Sequence, residues 1–385
     1  MAKGYLFISN STKPTEDVLE STAPIGPNSF SKAAIWAASE MGWELHMGVN
    51  RNHPEKIESI GYDIKFYNQH SYRNIFALKD NWQAYKNLCA YLKANPQIEI
   101  IHCNTPIGGV VGRLAGKKFK KKVIYTAHGF HFYKGAPLFN RTILKWVEKW
   151  LARYTDILIT INQEDFEAAQ KFKLKKGGKV VHIPGVGIDL GPYSGCSQTE
   201  RENKRKEIGL NADDTVIISI GDLNENKNTA TIISALKDTP KNCHYLICGN
   251  GPLKRDLIYL SSRLGVEKRC HFLGFRQDIK DLLDASDIFV MASKREGLPR
   301  STMEAMAAGL PCVVSDIRGN RDLIEEGKGG YLIDPHDTNE FSYKINLIIN
   351  NPSLRMEMKA HNLERIKDFE INKVGSLLKS TMEEL

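Results

Sequence analysis

The sequence has no long hydrophobic run. No stretch of 18 or more apolar residues occurs among its 385 residues, so no membrane-spanning helix is predicted. The apolar core of residues 1–9 is too short for a signal peptide, and polar residues follow it at once. We interpret it as a first β-strand. With 42% hydrophobic and 25% charged residues, the composition is that of a soluble globular protein long enough for two domains.

Paired cysteines and metal-binding motifs are also missing. The seven cysteines are scattered and none forms a CxxC pair, which indicates reduced, mostly buried thiols in a cytoplasmic protein. No zinc-type spacing occurs, so we expect no metal site. The dinucleotide fingerprint is incomplete, because Gly249-Asn250-Gly251-Pro252 is followed by Lys254 where the third glycine would stand. A tight strand-to-helix turn explains these glycines better than direct ligand contact does.

Acidic residues are scarce in the first half of the chain. Residues 1–190 contain 26 Lys and Arg against 16 Asp and Glu, whereas residues 191–385 contain 27 against 29. Two lysine clusters, Lys117–Lys122 and Lys171–Lys179, contribute much of the excess. The partners that this surface would suit are an anionic membrane, a phosphate-bearing lipid or a nucleic acid.

What the sequence does contain is a regular alternation of strand-like and helical patterns. Such alternation predicts parallel sheets covered by helices on both faces. The predicted strands of the first half are Tyr5–Ser9, Glu44–Val49, Asp63–Tyr67, Ile98–Cys103, Val123–Ala127 and Ile157–Ile161. The predicted helices there are Phe30–Met41, Asn74–Ala94, Val110–Lys117, Pro137–Tyr154 and Gln163–Phe172. The second half has predicted strands at Val216–Gly221, His244–Cys248, His271–Leu273, Ile288–Ala292, Cys312–Ser315 and Tyr331–Ile333.

The pattern breaks at Pro184–Asp189, and a polar stretch follows it. We therefore predict an α/β fold of two doubly wound, Rossmann-like domains, residues 1–190 and 191–365, that face a cleft. Residues 366–385 are predicted to be a helix that packs back on the first domain. Ligands of such sheets bind outside the carboxyl ends of the strands, where the strand order reverses.

The segment from Lys294 to Ser315 places two carboxylates, Glu296 and Glu304, around the start of one predicted helix. A helix N-terminus suits a phosphate, and carboxylates accept hydrogen bonds from sugar and ribose hydroxyls. One short segment could therefore hold both ends of a nucleotide-sugar. The alternative is a capping box between Ser301 and Glu304, which needs no ligand. It would leave Glu296 unexplained.

This segment resembles the Glu-x7-Glu motif of the family-4 glycosyltransferases, retaining enzymes of the GT-B fold. The resemblance implies that Glu296 contacts the donor sugar and Glu304 the ribose. It further implies that the backbone of Gly297 and Leu298 contacts the diphosphate, and we add Pro299 and Arg300 to the predicted donor-binding residues.

A second loop, Ser219–Asn228, leaves a predicted strand and enters a helix. Gly221 permits a close backbone approach, and Lys227 is either a diphosphate contact or a solvated lysine. The family usually has Gly-Arg-Leu followed by a lysine here. In this chain Asp222 replaces the arginine, so Lys227 is the one motif cation of the loop unless Arg300 substitutes.

The loop Phe272–Ile279 resembles the family's base-binding loop, which implies that Phe275 and Arg276 lie near the nucleotide base. In the first half, His128 and His131 follow the strand Val123–Ala127. Two histidines at a strand end favour function over core packing. They resemble those of capsular and exopolysaccharide glycosyltransferases of the family, in which the first histidine contacts the donor sugar. His128 is accordingly a predicted catalytic residue, and His131 has a local structural or acceptor-side role.

Three further residues are candidates for the acceptor side. Asn104 and Thr105 follow the strand Ile98–Cys103, although capping of a helix that begins near Pro106 is an equal alternative. Gly26 lies in the long polar segment Asn10–Ser29, where family members often carry a glycine pair. That segment is interpreted as a mobile loop on the acceptor side.

The predicted helix Pro137–Tyr154 is basic and amphipathic, with two tryptophans. Such a helix either lies on a membrane or packs its apolar side into the core with its charges solvated. Core packing is the favoured alternative. The positive charge of the first half and the resemblance support the membrane alternative as well, because such enzymes often use polyprenyl-diphosphate-linked acceptors.

The sequence therefore predicts a metal-independent glycosyltransferase, transferring a hexosyl or N-acetylhexosaminyl group from a nucleotide diphosphate, with UDP favoured. The predicted acceptor is a glycan or lipid-linked glycan in capsule or exopolysaccharide biosynthesis. No cofactor and no nucleic acid partner are expected, and the predicted location is the cytoplasm, at the inner face of the membrane. The alternatives are a UDP-sugar epimerase of the same overall fold, a two-domain NAD-dependent dehydrogenase and a non-catalytic binding protein.

Overall fold

The computed structural model describes residues 3–133, 135–193 and 195–385. The chain divides into two compact units, residues 1–187 together with 371–385, and residues 188–370. The predicted domain boundaries at 190 and 365 are therefore placed at 187 and 370 in the structure.

Each unit is built on one parallel sheet. The strands of the first unit are β1 Gly4–Ile8, β2 Glu44–Val49, β3 Ile64–Asn68, β4 Ile98–Asn104, β5 Lys122–Ala127, β6 Ile157–Thr160 and β7 Lys179–His182. Those of the second unit are β8 Thr215–Ile220, β9 Cys243–Cys248, β10 Cys270–Gly274, β11 Ile288–Met291, β12 Cys312–Ser315 and β13 Gly330–Ile333. Of the thirteen strands in the described part of the chain, twelve correspond to predicted strands. The exception is β7, whose apolar core is only two valines among lysines.

Helices connect the strands. They are α1 Glu16–Glu20, α2 Lys32–Glu40, α3 Leu78–Ala94, α4 Pro106–Phe119, α5 Lys145–Ala152, α6 Gln163–Ala169, α7 Gln198–Glu207, α8 Thr229–Leu236, α9 Lys254–Arg263, α10 Ile279–Asp284, α11 Arg300–Ala307, α12 Arg318–Leu323, α13 Thr338–Ile349, α14 Pro352–Arg365 and α15 Ile371–Glu383. A π-helical turn, Asn140–Leu144, precedes α5 and interrupts what was predicted as one helix. Within the described ranges, no helix has the length and apolar character that crossing a bilayer requires.

The strand order fixes where a ligand crevice can form. The first sheet has the order β3-β2-β1-β4-β5-β6-β7, and the second has the order β10-β9-β8-β11-β12-β13. At β1 and β4, and again at β8 and β11, neighbouring strands send their connections to opposite faces of the sheet. This divergence opens a crevice at the carboxyl ends of those strands.

Both faces of each sheet are buried, as the apolar strand runs predict. In the first unit, α3 and α4 cover one face. The other face is covered by α2 and by α15, which contributes Val374, Leu378 and Met382 to that core. The contact between α15 and α2 is close, because a Cβ added at Gly375 would lie 2.6 Å from the Trp36 ring. The terminal helix thus belongs to the first unit.

The cysteines are all free thiols. Five are buried, as expected, whereas Cys89 is half-buried and Cys196 is exposed. Burial raises the pKa of the Cys103 thiol to about 12, which keeps it protonated and unreactive at neutral pH.

Candidate active site

In the second unit, the loops that follow β8 and β11 meet at the reversal of strand order. The side-chain amide of Asn226 donates to the carbonyl of Arg295 at 3.0 Å, and the Lys294 N–H donates to the carbonyl of Asn226 at 2.8 Å. These bonds hold the two predicted donor-binding loops together. They link residues about seventy positions apart in the sequence, so no local pattern could reveal them.

Two glycines let the backbone approach closely beside this loop pair. Gly221 has φ 152°, and Gly249 has φ 148°. A Cβ at Gly249 would lie 1.9 Å from the Gly221 carbonyl oxygen, so any side chain there would displace the loop. The turn Gly249–Pro252 therefore has the structural role that was weighed against ligand binding.

Lys227 and Glu296 form an ion pair across the two loops. Lys227 Nζ lies 2.8 Å from Glu296 Oε1, and the side chains are 23% and 17% exposed. The Lys227 side chain also lies over Gly221, since a Cβ there would be 2.8 Å from Lys227 Cε. Lys227 is therefore not the solvated loop lysine of the alternative interpretation, because its charge is directed at a predicted catalytic carboxylate.

Arg300 and Glu304 form a second ion pair on the first turns of α11, with Arg300 Nε 2.8 Å from Glu304 Oε1. Burial raises the pKa of the Glu304 carboxyl, and the neighbouring Arg300 opposes that rise. The capping box considered for Ser301 is absent: Pro299 occupies the N-cap, and the Ser301 hydroxyl faces the sulfur of Met291 at 4.0 Å. Capping therefore does not explain Glu304.

The turn between the two carboxylates rests on α12. Arg318 Nε donates to the carbonyl of Glu296 at 3.1 Å, and a Cβ at Gly319 would lie 2.3 Å from the Gly297 carbonyl oxygen. Leu298 is half-buried against the core, and Pro299 is buried. The sequence analysis did not identify Arg318, because it lies 22 residues beyond Glu296 and in a helix that was not predicted.

The predicted base-binding residues have different surroundings. Phe275 is the first residue after β10, and its side chain is largely exposed. The Arg276 guanidinium makes two bonds to the Asp278 carboxylate, at 2.7 and 2.5 Å, and contacts Glu207. These bonds hold the pKa of Asp278 well below its usual range. Arg276 is thus a partner of acidic side chains, and a role at the base stays a prediction.

In the first unit, His128 borders a small, partly open pocket at the carboxyl ends of β4 and β5. Phe30, Asn104, Thr126 and Leu378 also line it. The Phe30 ring meets the His128 ring edge-on at 5.3 Å. Burial lowers the pKa of His128 to about 4, with a smaller contribution from the Arg73 charge, so this imidazole is neutral at physiological pH.

Two polar atoms of this pocket are buried and lack a hydrogen-bond partner in the described structure. They are Nε2 of His128 and Oδ1 of Asn104, whose side chain is 1% exposed. Such atoms are costly unless a bound group satisfies them. The pocket therefore has the features of a binding site for a hydroxyl-bearing ligand.

A chain of buried hydrogen bonds runs through His102 and Thr126, two of the residues that line this pocket. The Tyr5 hydroxyl lies 2.6 Å from Nδ1 of His102, and Nε2 of His102 lies 2.8 Å from the Thr126 hydroxyl. Burial lowers the pKa of His102 to about 3, and His128 adds to this effect. Sequence reasoning missed the chain, although His102 interrupts an otherwise apolar strand and was the available signal.

The remaining acceptor-side candidates lie near this pocket or beside it. Thr105 has φ 69° and occupies the N-cap position of α4, directly before Pro106, as the capping alternative predicts. Its side chain makes no capping hydrogen bond, and its hydroxyl instead accepts a hydrogen bond from the Asn10 N–H at 3.0 Å. Gly26 lies next to Ile25, which forms an isolated β-bridge with Ser59. This bridge connects that part of the segment Asn10–Ser29 to the loop before β3. His131 is half-buried in the loop after β5.

Comparison with known sequences settles the family. Residues 200–365 match the family described as glycosyl transferases group 1, and residues 35–190 match glycosyltransferase family 4. EpsD of Bacillus subtilis (strain 168) is 35% identical over 323 residues, which cover 82% of each chain. The chain belongs to the family-4 glycosyltransferases. The UDP-Gal:alpha-D-GlcNAc-diphosphoundecaprenol alpha-1,3-galactosyltransferase of Escherichia coli is 31% identical to this glycosyltransferase over 308 residues, 78% of this chain and 79% of that one.

Solved structures confirm the fold of the glycosyltransferase. HepE of Anabaena, crystallised with UDP and glucose, has a TM-score of 0.79 at 19% identity, covering 99% of this chain and 100% of that one. The sucrose-phosphate synthase of Thermosynechococcus elongatus has a TM-score of 0.79 at 18% identity, covering 99% and 98%. The predicted α/β GT-B fold is confirmed, whereas the epimerase and dehydrogenase alternatives find no support in these comparisons.

The structure of this glycosyltransferase collects its predicted residues in two places. The donor-side set lies at the ends of β8 and β11, except for Phe275 and Arg276, which follow β10. His128, Asn104 and Thr105 lie at the ends of β4 and β5 in the first unit. Among the described residues, no group of three or more His, Cys, Asp or Glu side chains is placed to hold a metal ion.

Proposed function

We propose that this glycosyltransferase transfers a sugar from a UDP-sugar to a polyprenyl-diphosphate-linked glycan, with retention of anomeric configuration. Two ion pairs around the start of α11 are the main support for a nucleotide-diphosphate sugar as donor. Lys227 pairs with Glu296, and Arg300 pairs with Glu304. Two cations and a helix N-terminus suit a diphosphate, and two carboxylates suit the hydroxyls on either side of it. The names of the E. coli relative and the Anabaena structure support UDP as the nucleotide.

The proposed chemistry uses these groups without a metal. The bond between the anomeric carbon and the β-phosphate oxygen breaks while the acceptor hydroxyl bonds to the same face of that carbon. The departing phosphate oxygen takes the acceptor proton. Lys227, Arg300 and the N–H groups at the start of α11 stabilise the negative charge that develops on the UDP leaving group.

His128 is proposed to contact the transferred sugar as a neutral imidazole. Because its pKa is lowered to about 4, it offers one donor and one acceptor nitrogen to hydroxyl groups and adds no charge to the site. We assign Asn104 to the acceptor, because its buried carbonyl oxygen lacks a partner in the described structure and can accept a bond from a sugar hydroxyl. Thr105, His131 and Gly26 stay acceptor-side predictions.

We also propose which sugar is transferred, which acceptor receives it and where the enzyme works. The E. coli relative's name favours a hexosyl group such as galactose over an N-acetylhexosaminyl group, and a diphosphoundecaprenol-linked acceptor. Such an acceptor is embedded in a lipid bilayer, so we propose that the enzyme works at the inner face of the membrane in the synthesis of a surface polysaccharide.

Calorimetric titration with UDP, GDP and NAD tests the donor assignment. We expect UDP to bind the wild type and to bind Glu304→Gln about tenfold or more weakly, because a hydrogen bond to a charged group contributes roughly 1.5–3 kcal/mol. Ser301→Ala is the matched control on the same helix turn, and it should bind UDP as the wild type does. Equal UDP affinity in Glu304→Gln would contradict the ribose role, and binding of NAD alone would contradict the proposed function.

A further inference from the structure

Eight large apolar side chains are exposed at the starts of two helices in the first unit. We call this set the apolar rim. It comprises Ile75, Phe76, Leu78 and Trp82 at the start of α3, and Leu138, Phe139, Ile143 and Trp146 before and within α5. Phe76 is 79% exposed, Leu138 75% and Trp146 65%. The predicted alternative, in which the apolar side of the segment 137–154 packs into the core, is wrong for these four residues of that segment.

Both arms of the rim lie at the carboxyl edge of the first sheet. The helices α3 and α5 end where β4 and β6 begin, so their starts lie at the opposite edge, where the strands end. Between them lies α4, which packs against both and begins two residues after Asn104. The rim therefore flanks the edge of the sheet that carries the His128 pocket.

One electrostatic effect and one contact place the arms near the pocket. Arg73, two residues before the first arm, is close enough to His128 for its charge to lower the pKa of that histidine. Lys145, within the second arm, lies 5.8 Å from the centre of the Phe132 ring, and Phe132 belongs to the loop that carries His128. A surface that covered both arms would lie beside the proposed acceptor site.

The exposed charges interleaved with the rim are positive. Arg73, Lys79 and Lys86 are exposed along the first arm, and Arg141, Lys145 and Lys149 along the second. The carboxylates of these segments face partners instead: Asp80 lies 2.9 Å from His70, and Glu148 lies 2.8 Å from the buried Arg113. Apolar and aromatic side chains surrounded by cations match the interface of an anionic bilayer. A second copy of the same face would bring like charges together.

The buried Arg113 fixes the second arm of the rim to α4. Arg113 is 1% exposed, and its guanidinium lies 4.0 Å from the centre of the Tyr125 ring. It also donates to the Gly109 carbonyl and to Glu148, which ties α5 to α4. The ion pair thus turns the one acidic side chain of α5 inward and leaves its outer face free of negative charge.

We propose that the apolar rim is a docking surface for an anionic lipid bilayer, which holds the His128 pocket beside the head group of a membrane-embedded acceptor. The acceptor class rests on the proposed function, whereas the bilayer contact rests on the rim itself. Trp82, Trp146 and Phe139 would enter the interface between head groups and acyl chains, and the six cations would contact lipid phosphates.

Vesicle co-sedimentation of the full chain tests the docking surface. We expect the wild type to bind vesicles of phosphatidylcholine with phosphatidylglycerol, to bind pure phosphatidylcholine vesicles weakly, and to lose binding as salt rises. Leu138→Ser with Trp146→Ser should bind about tenfold or more weakly, and Phe76→Ser with Leu78→Ser likewise. Each pair of changes removes two apolar side chains that the bilayer would bury on docking. Tyr259→Ser with Tyr343→Ser, exposed residues of the second unit, is the matched control and should bind normally.

Activity on two acceptor forms separates this inference from the proposed function. The rim variants should keep the UDP affinity and the turnover of a short-chain, detergent-free acceptor, and should lose turnover of an acceptor embedded in vesicles. Wild-type vesicle binding in the rim variants, with melting temperatures unchanged, would overturn the docking surface. So would a change from oligomer to monomer in the rim variants on size-exclusion chromatography, which would assign the rim to a second copy. Vesicle binding without UDP binding would overturn the proposed function alone.

Discussion

Lys227 Nζ lies 2.8 Å from Glu296 Oε1, although the two residues are 69 positions apart in the sequence. The cation predicted for the diphosphate and the carboxylate predicted for the donor sugar thus orient each other. Both are mostly buried, so the pair is only weakly screened by solvent. Neither side chain can be changed without affecting the position of the other.

Replacing Lys227 by methionine should weaken UDP binding. The change keeps the length of the side chain over Gly221 but removes the charge, and a charged hydrogen bond contributes roughly 1.5–3 kcal/mol, which corresponds to about a tenfold to hundredfold loss of affinity. Calorimetric titration with UDP measures it. Lys294→Met is the control, because Lys294 is exposed and its partner Glu225 lies 3.9 Å away. An unchanged UDP affinity in Lys227→Met would remove Lys227 from the diphosphate site.

The buried His102 should make the protein less stable in acid. Its pKa is about 3 in the folded chain and about 6.5 when unfolded, so between these values only the unfolded chain binds the proton. The stability that neutral His102 contributes is complete above about pH 6.5 and is lost as pH falls towards 3. From about pH 7 to 5 this loss amounts to about 2 kcal/mol for one group.

Urea unfolding of wild type and His102→Asn at both pH values measures this contribution. The variant should lose less stability between the two pH values than the wild type does, although it is less stable at neutral pH. His336→Asn, at an exposed position, serves as the control and should follow the wild type. Parallel pH dependence in His102→Asn and wild type would show that His102 is not the titrating group.

Gly249→Ala should both destabilise the second unit and weaken UDP binding. The new methyl group would lie 1.9 Å from the Gly221 carbonyl oxygen, so the loop that carries Lys227 must move. Gly42→Ala isolates the backbone effect, because Gly42 has φ 67° with open space around its Cβ position. We expect Gly42→Ala to cost about 1 kcal/mol and Gly249→Ala at least about 2 kcal/mol more in urea unfolding. Equal costs would mean that the close approach of the two glycines is unimportant.

The alternation of apolar strands and helices was sufficient to predict the two parallel sheets, because strands buried on both faces must be continuously apolar. The order of the chain also placed Glu296 and His128 after strands, which puts them at the ligand-binding edge of any such sheet. The motif around Glu296 and Glu304 indicated a family that the comparisons confirm. These features are local in sequence, and local physics determines them.

Tertiary structure decided the rest, because the deciding contacts join distant residues. The pairing of Lys227 with Glu296, the support of the Glu296 carbonyl by Arg318 and the chain from Tyr5 through His102 all cross between elements. Local sequence was also misleading where two environments share one pattern. Ser301 and Glu304 have capping-box spacing, yet the helix begins two residues too early for it, with Pro299 at the N-cap. The amphipathic segment 137–154 has the pattern of a core helix, and only its packing shows that Leu138 and Trp146 are exposed.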